Sequence, residues 1–590
     1  MNIRIRNLLT LIILISFTPF LSITNIDLKN SENNFQEFLP NAMGIYQKWN
    51  YTIENCNNFI GSPEIADLNG DGNYEIVIQA QQDILCLSHL GVKLWNRSFD
   101  MNNHLGKPAI ADLDRDGNLD IIINTGESDR QIVCLENDGN IKWLYNVGEE
   151  SLGSVAVADI DGDYKLELVF STSNKTICLD HCGRLKWVHE TGGFIWNTPA
   201  IADLIGNSNK EIIVTTYETN TTYCLNNEGI EQWHFQANGD ITWGITIADV
   251  DKDSLLEICF GTRNSTLYCL SNLGIQEWNY TITAGTYSGT LPSIGDINND
   301  GELEVLFASP DNHRIYCINN AGQENWYYPT TDATYATPVL ADLDNDENLE
   351  ILFGSRDNEF YCLNKDGILI WHFSAVSWIQ SSAVIGDIDQ DGKFEIIFIS
   401  IYDKVYCLGL TGIQSSGKSP WHTHLGSIFN NGNIDSDGDF IDDLTEEYYQ
   451  TNVLSNDTDN DNLNDWKEIC TFKTDPTNDD TDSDGLNDEE EIKIYLTNPL
   501  EKDTDNDGFS DYIEIINGTD PKNPLDHPPT TVTLPPVTVT PPPETITENF
   551  TIYQNVTITP SNGGGIFLVS IITISSLGLI IFVIIKKYKR

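Results

Sequence analysis

From Pro63 onward the apolar and polar positions of the chain cycle through one phrase. A short apolar run ends in Asp, an acidic loop follows, then come a β-branched run, a Cys-Leu or Cys-Ile pair, and Gly-x-x-x-Trp. The first Asp of each cycle falls at Asp67, Asp112, Asp159, Asp203, Asp249, Asp296, Asp342 and Asp387, so the period is 44 to 47 residues. Within one cycle, residues 108–112, 120–124, 131–135 and 141–145 are β-branched or aromatic segments separated by Gly, Asn and Asp, which predicts four short strands. Four strands per period of about 45 residues is the pattern of propeller blades. Eight cycles predict an all-β, eight-bladed β-propeller over residues 45–428.

The same pattern predicts how the ring closes. Most cycles end in Trp with an aromatic two residues later, as at Trp233 and Phe235, and the N-terminal segment carries Trp49 and Tyr51 before any blade has begun. That stray strand is expected to complete the last blade, which removes an open sheet edge. The segment at Trp421 competes for the place, but it has Thr423 where an aromatic is expected. The tryptophans Trp95, Trp143, Trp187, Trp233, Trp278, Trp326 and Trp371 read as core pieces packing one blade on the next. Eight cysteines (Cys86, Cys134, Cys178, Cys224, Cys269, Cys317, Cys362 and Cys407) share one strand position. Equivalent points on adjacent blades lie beyond the Cα limit of about 7 Å for a disulfide, so buried free thiols are expected.

The loops carry the candidate chemistry. Asp112, Asp114 and Asp116 alternate, Gly117 follows, and Asp120 comes four residues after the third acid. Alternating carboxylates in a tight turn converge on one point, and a hard cation such as calcium takes six to eight oxygens. The pattern recurs at Asp67, Asn69, Asp71 and Glu75; at Asp296, Asn298, Asp300 and Glu304; and at Asp387, Asp389, Asp391 and Glu395. Versions without the glycine stand at Asp159, Asp161, Asp163 and Glu167; at Asp249, Asp251, Asp253 and Glu257; and at Asp342, Asp344, Asp346 and Glu350. The fourth loop keeps only Asp203 and Glu211, with Ile205 and Asn207 between them, and is not expected to hold an ion. The D-x-[DN]-x-D-G-x-x-[DE] loops resemble the FG-GAP and VCBS repeats of integrin alpha chains and prokaryotic surface proteins. That resemblance covers residues 60–410 and implies calcium on one face of the ring, with a role in adhesion or ligand binding.

At Asp435 the period drops to 22 or 23 residues. Asp435, Asp437, Asp439, Asp443 and Glu446 occupy positions 1, 3, 5, 9 and 12 of a loop. The register returns at Asp457, Asp459, Asp461, Asp465 and Glu468; at Asp480, Asp482, Asp484, Asp488 and Glu491; and at Asp503, Asp505, Asp507, Asp511 and Glu514. This is the ligand logic of an EF-hand loop, but about eleven residues between loops cannot supply two helices. Residues 433–526, with DTDNDGFSDYIE as the clearest copy, therefore resemble thrombospondin type 3 repeats, in which calcium organises a chain with little core of its own. This segment holds 29 acidic and 5 basic residues, so without metal it should repel itself open, and calcium should stiffen it into a rod.

Composition narrows the classes. Over 590 residues, 88 acidic side chains against 32 basic ones give a formal charge of −56, which excludes a generic nucleic-acid binder. Two arginines in residues 1–6, followed by an apolar run, read as a signal peptide over 1–24. Residues 527–565 are rich in Pro and Thr and read as a stalk. Residues 566–585 lack any charge and are followed by Lys586, Lys587, Lys589 and Arg590, which predicts a single transmembrane helix with a cytoplasmic tail at 586–590. Ten N-x-S/T triplets, from Asn50 to Asn555, agree with export.

No recurring Ser-His-Asp or metal-ligating His arrangement points to catalysis. Aromatics stand just before the inner strand of several cycles, at Phe59, Trp196, Trp243, Tyr287, Tyr335 and Trp378, where they either pack loops or stack on sugars. The reading is a membrane-anchored cell-surface protein that binds an extracellular protein or glycan ligand, with calcium as cofactor. The alternatives are a surface enzyme acting on polysaccharide, as in eight-bladed polysaccharide lyases, and a structural surface-layer spacer.

Overall fold

The computed structural model describes residues 43–54, residues 61–411 apart from 81, 100–105, 208, 283–289 and 402–403, seven positions between 419 and 439, residues 441–528, and the stretches 531–533, 553–559, 567–573 and 580–583. The signal peptide, most of the stalk, the cytoplasmic tail, Phe59, Tyr287, Cys56 and Trp421 lie outside the described residues. Eight antiparallel four-stranded sheets follow one another along the chain. Blade two is typical: Ala109–Ala111, Asp120–Asn124, Gln131–Leu135 and Ile141–Asn146, running from the axis outward. The three inner strands of a blade are buried on both faces and read as continuous apolar runs, whereas the outer strand alternates.

The ring closes as the Trp49 pattern predicts. Strand Gly44–Thr52 pairs with Lys404–Thr411, so the first strand of the chain is the outer strand of blade eight. Each outer-strand Trp then reaches the following blade: the Trp49 Nε1 donates to the His89 carbonyl at 2.8 Å, and Trp95 Nε1 to the Asn137 carbonyl at 3.2 Å. The indole lies on the glycine of that blade's last turn. At Gly139 (φ +82°) a Cβ would stand 2.7 Å from the Trp95 ring. A Gly139→Ala substitution thus meets both a left-handed backbone and a clash, and is expected to cost about 2–3 kcal/mol in a denaturant melt. Nearer the axis, backbone and hydroxyl groups link blade to blade, as in Lys107 N to Ser154 Oγ, Ser154 N to Thr198 Oγ1, and Ser382 N to Ser62 Oγ.

Ten cysteines, Cys86, Cys134, Cys178, Cys182, Cys224, Cys259, Cys269, Cys317, Cys362 and Cys407, are free thiols. Cys178 and Cys182 form no local bridge, and Cys259 faces Cys269 across two strands of blade five.

Beyond blade eight the chain turns into the ring. Ser419 Oγ donates to the Leu340 carbonyl, Ile385 N to the His422 carbonyl, and Thr423 Oγ1 to Glu64, while Leu425 packs with Leu291. Leu340, Ile385 and Glu64 sit on the inner strands of blades seven, eight and one, and Leu291 just precedes that of blade six. So many inner strands come together only along the axis, so Ser419, His422, Thr423 and Leu425 form a plug there. Beside the plug, Lys107 and Glu64 form an ion pair at 2.5 Å, both side chains 0% exposed.

Residues 441–528 carry one short helix after each loop: Asp443–Tyr449, Asp465–Lys467 continuing through Glu468–Phe472, Glu490–Tyr495, and Asp511–Asn517. Asp442, Asn464 and Ser510 cap three of them through their side chains. The first repeats dock on the ring. Trp466 Nε1 donates to the Tyr74 hydroxyl at 2.8 Å, and Arg115 Nε donates to the Tyr448 hydroxyl at 2.6 Å with its guanidinium over the Tyr448 ring.

The C-terminal helix expected over 566–585 is not shown. Among the described residues there, Phe567–Thr573 and Ile580–Val583 are strands, joined to Thr531–Thr533 and Tyr553–Thr559 in one sheet. The run is dense in Ile, Val and Thr, whose branched side chains suit a pleated strand as well as a helix. Among the described residues no helix is long and apolar enough to cross a membrane.

Candidate metal centre

Each propeller loop joins an inner strand to the second strand of its blade, and its carboxylates divide their labour. The first Asp folds the turn. Asp112 Oδ2 accepts from Gly117 N at 2.8 Å, Asp296 Oδ2 from Gly301 N at 2.8 Å, and Asp387 Oδ2 from Gly392 N at 2.9 Å. Where the glycine is missing, Tyr164, Ser254 and Glu347 adopt the same left-handed conformation, with φ of 60°, 70° and 70°. These loops keep their shape at a backbone cost of about 1 kcal/mol each. The last acid is buried on the second strand and spends one oxygen on the turn, as Glu257 Oε2 does with Val250 N and Glu350 Oε2 with Leu343 N. Its other oxygen faces the remaining acids.

Donor oxygens come within 4.8 Å of one another in several groups, among them Asp112, Asp114 and Asp116; Asp159, Asp161 and Asp163; Asp249, Asp251 and Glu257; Asp342, Asp344 and Asp346; and Asp387, Asp389 and Glu395. Blades one and six are built differently, because Asn69 Nδ2 donates to Glu75 Oε1 and Asn298 Nδ2 to Glu304 Oε1. In the fourth loop Asp203 still caps Gly206 and Asn207, and Ile205 is exposed, so the turn stands without an acid cluster.

Sequence reasoning missed one set of partners. Lys142 Nζ lies 2.9 Å from both Asp114 and Asp120, Lys186 Nζ 2.7 Å from Asp161 and 2.9 Å from Glu167, and Lys48 Nζ 2.7 Å from Asp389 and 2.8 Å from Glu395. Each lysine immediately precedes an outer-strand Trp, which is the signal that could have revealed it.

In the 22-residue repeats the oxygens are more deeply enclosed. Glu446, Glu468, Glu491 and Glu514 are each 0% exposed, and each keeps an Oε2 with no hydrogen-bond partner. So do Asp459, Asp482 and Asp505 at position 3, through Oδ2. Burial first, and neighbouring carboxylates second, push Glu446 up to about 10, Glu468 to about 9, Glu491 to about 8 and Glu514 to about 7. Buried, unpartnered carboxylate oxygens crowded at one point fit a hard divalent cation, which would supply the missing charge and coordination. At position 9 both oxygens are already engaged. Asp465 accepts from Thr458 N and Oγ1, Asp488 from Thr481 in the same way, and Asp511 from Thr504. Position 5 ties repeat to repeat, since Asp461 accepts from Glu489 N and Asp484 from Tyr512 N.

The opposite end of the ring is chemically distinct. Connections between second and third strands, and between an outer strand and the next inner one, emerge there, away from the acid loops. Trp196 stacks on Tyr217 with centroids 5.5 Å apart, and Arg263 lies over the same Tyr217 ring. Arg356 lies 4.1 Å from the centroid of Tyr335 and 5.1 Å from that of Trp378.

Fold and loops together define an eight-bladed propeller with metal-type acidic loops, followed by shorter acidic repeats. The chain carries an FG-GAP-like repeat, matched over residues 296–353, and bacterial TSP3 repeats, matched over 480–502 and 503–524. No curated protein matches the chain. Among solved structures, the V. cholerae biofilm matrix protein Bap1 is similar at 14% identity over 62% of this chain and 91% of that one, with a TM-score of 0.48. BamB from Moraxella catarrhalis follows at 14%, 62%, 97% and 0.44, and the quinohemoprotein alcohol dehydrogenase ADHIIG from Pseudomonas putida HK5 at 12%, 63%, 77% and 0.50. At these identities the likeness is one of fold.

Proposed function

We propose that the chain is an exported, membrane-anchored surface protein whose propeller binds an extracellular protein or glycan, with calcium holding the ring and the repeats in shape. The observation that carries this reading is the division of the ring's two ends. Acid loops and docked repeats take one end, while the other leaves Trp196 51% exposed and stacked on the Tyr217 ring that Arg263 covers, and Trp378 42% exposed beside Arg356. An open indole next to a guanidinium offers a stacking face and a fork of donors, which suits sugar rings or acidic side chains.

FG-GAP-like and TSP3 repeats support a surface or extracellular setting. Weak extracellular calcium modules work at about 10⁻⁴–10⁻³ M. The uncharged run at 566–585 with its basic end supports an anchor, and the Pro/Thr-rich residues before it a spacer. The axial plug argues against catalysis in the central channel.

Applied to arrays of glycans and extracellular proteins, the purified protein is expected to bind a restricted set. A Trp196→Ala/Trp378→Ala double variant should lose that binding at least tenfold while its melting temperature holds. Binding unchanged by the double variant would sink this reading, and turnover of a bound polysaccharide would favour an enzyme.

A further inference from the structure

The acid loops of the ring differ in what neutralises them. Register explains why: the residue before the Trp that pairs with the blade's third-strand Cys projects toward the loop. In blades two, three and eight that residue is Lys142, Lys186 and Lys48, next to Trp143, Trp187 and Trp49 paired with Cys134, Cys178 and Cys407. Their ammonium groups sit between the second acid of the loop and the last one, where a cation is needed.

In blade five the equivalent residue, next to Trp278 paired with Cys269, is Glu277. Among the described residues no Lys, Arg or His forms an ion pair with Asp249, Asp251, Asp253, Glu257 or Glu277. Glu257 is 1% exposed and its Oε1 has no hydrogen-bond partner, nor has Asp249 Oδ1. Blade seven has Ile370 at this position and leaves Asp344 Oδ1 without a partner; Asp161 Oδ1 and Asp389 Oδ1 of the lysine-bearing loops are also unpartnered, so the loops differ in the lysine and in the buried last acid, Glu257, whose Oε1 is open.

The two kinds of loop also lie on different arcs. Arg115 of the blade-two loop and Tyr164 of the blade-three loop meet Tyr448, the blade-eight loop feels the charge of Lys467, and blade one meets Trp466. The lysine-bearing loops therefore lie under the docked repeats, and blades five and seven lie on the free arc.

We propose that Lys48, Lys142 and Lys186 are built-in counter-ions that close three loops to divalent metal, confining metal binding by the ring to the free arc, with blade five as its principal site. The proposal rests on the calcium reading above and adds to it which loops load. A tethered ammonium neutralises the docking arc at any calcium level. In blade five Asp249, Asp251 and Glu257 converge with no ion-paired ammonium among them, and the buried Glu257 leaves that loop dependent on metal, because a buried charge is costly unless it is paired.

The test counts calcium ions bound by the chelator-stripped full chain, by native mass spectrometry and calorimetry, with melting temperature read in chelator and in calcium. The Lys48→Gln/Lys142→Gln/Lys186→Gln variant should bind three more ions than the unaltered protein and become less heat-stable in chelator alone. Glu277→Lys should bind one fewer and become more heat-stable in chelator. If the triple variant does not fold, Glu277→Lys decides by itself. Calcium bound by the unaltered protein, with the count unmoved by these changes, would overturn this inference and leave the calcium reading intact. No calcium bound by any form would overturn both.

Discussion

Stripping calcium from the intact protein at pH 8 is expected to melt the four short helices between Asp443 and Asn517 and to expose Trp466, now buried against Tyr74. Those helices bury little of their own. What holds them is the set of carboxylates at the loop centres, and four of these are glutamates raised from 4.5 to between about 7 and about 10. A raised carboxyl favours the folded state in its protonated form. Its contribution to the metal-free fold is thus complete below about pH 4.5 and is lost as pH climbs through the raised value. Metal-free protein should therefore regain its helices on acidification to pH 5, while calcium-loaded protein should release its ions over the same descent, since protons and metal compete for the same oxygens. Far-UV circular dichroism and scattering check both limbs, with residues 433–526 swelling toward the radius of about 30 Å of an unfolded chain of that length. An identical spectrum with and without chelator at pH 8 would contradict the account.

The second large effect lies at the axis. Lys107→Met leaves the Glu64 carboxylate 0% exposed and stripped of its ammonium, and should cost about 3–5 kcal/mol in a denaturant melt. Adding Glu64→Gln should recover much of that loss, because the buried charge itself is then gone. The damage should spread to the plug, since Glu64 also accepts from Thr423, and His422 next to it is held neutral at about 3 by burial and by Lys107. Equal destabilisation of the single and double variants would show that packing, and not the stranded charge, is what Lys107 supplies.

The blades were legible because their signal is periodic. Each cycle repeats Asp, Cys and Gly-x-x-x-Trp, and Trp49 with Tyr51 completes the count as the outer strand of blade eight. Features without a period were not legible. The plug residues Ser419, His422, Thr423 and Leu425 belong to no repeat of the sequence, and their partners are spread over several blades. Lys142 lies 22 residues from Asp120 and meets it only when the blade folds, and Lys48 lies 347 from Glu395 and meets it only when the ring closes. At 566–585 length and hydropathy were read as a helix, while the branched side chains of the same residues allow the strands observed. In the repeats, EF-hand register puts position 9 among the metal ligands, while the hydrogen bonds that Asp465, Asp488 and Asp511 accept from the Thr at position 2 were not legible in that register.

Asp461 and Asp484 each belong to one loop yet hold the backbone of the next repeat, at Glu489 and Tyr512. The repeats are thereby wired in series, as nearest neighbours in a one-dimensional array are. A pull along this tract loads those carboxylates one after another, so the weakest of these links sets the force at which the tract first unravels.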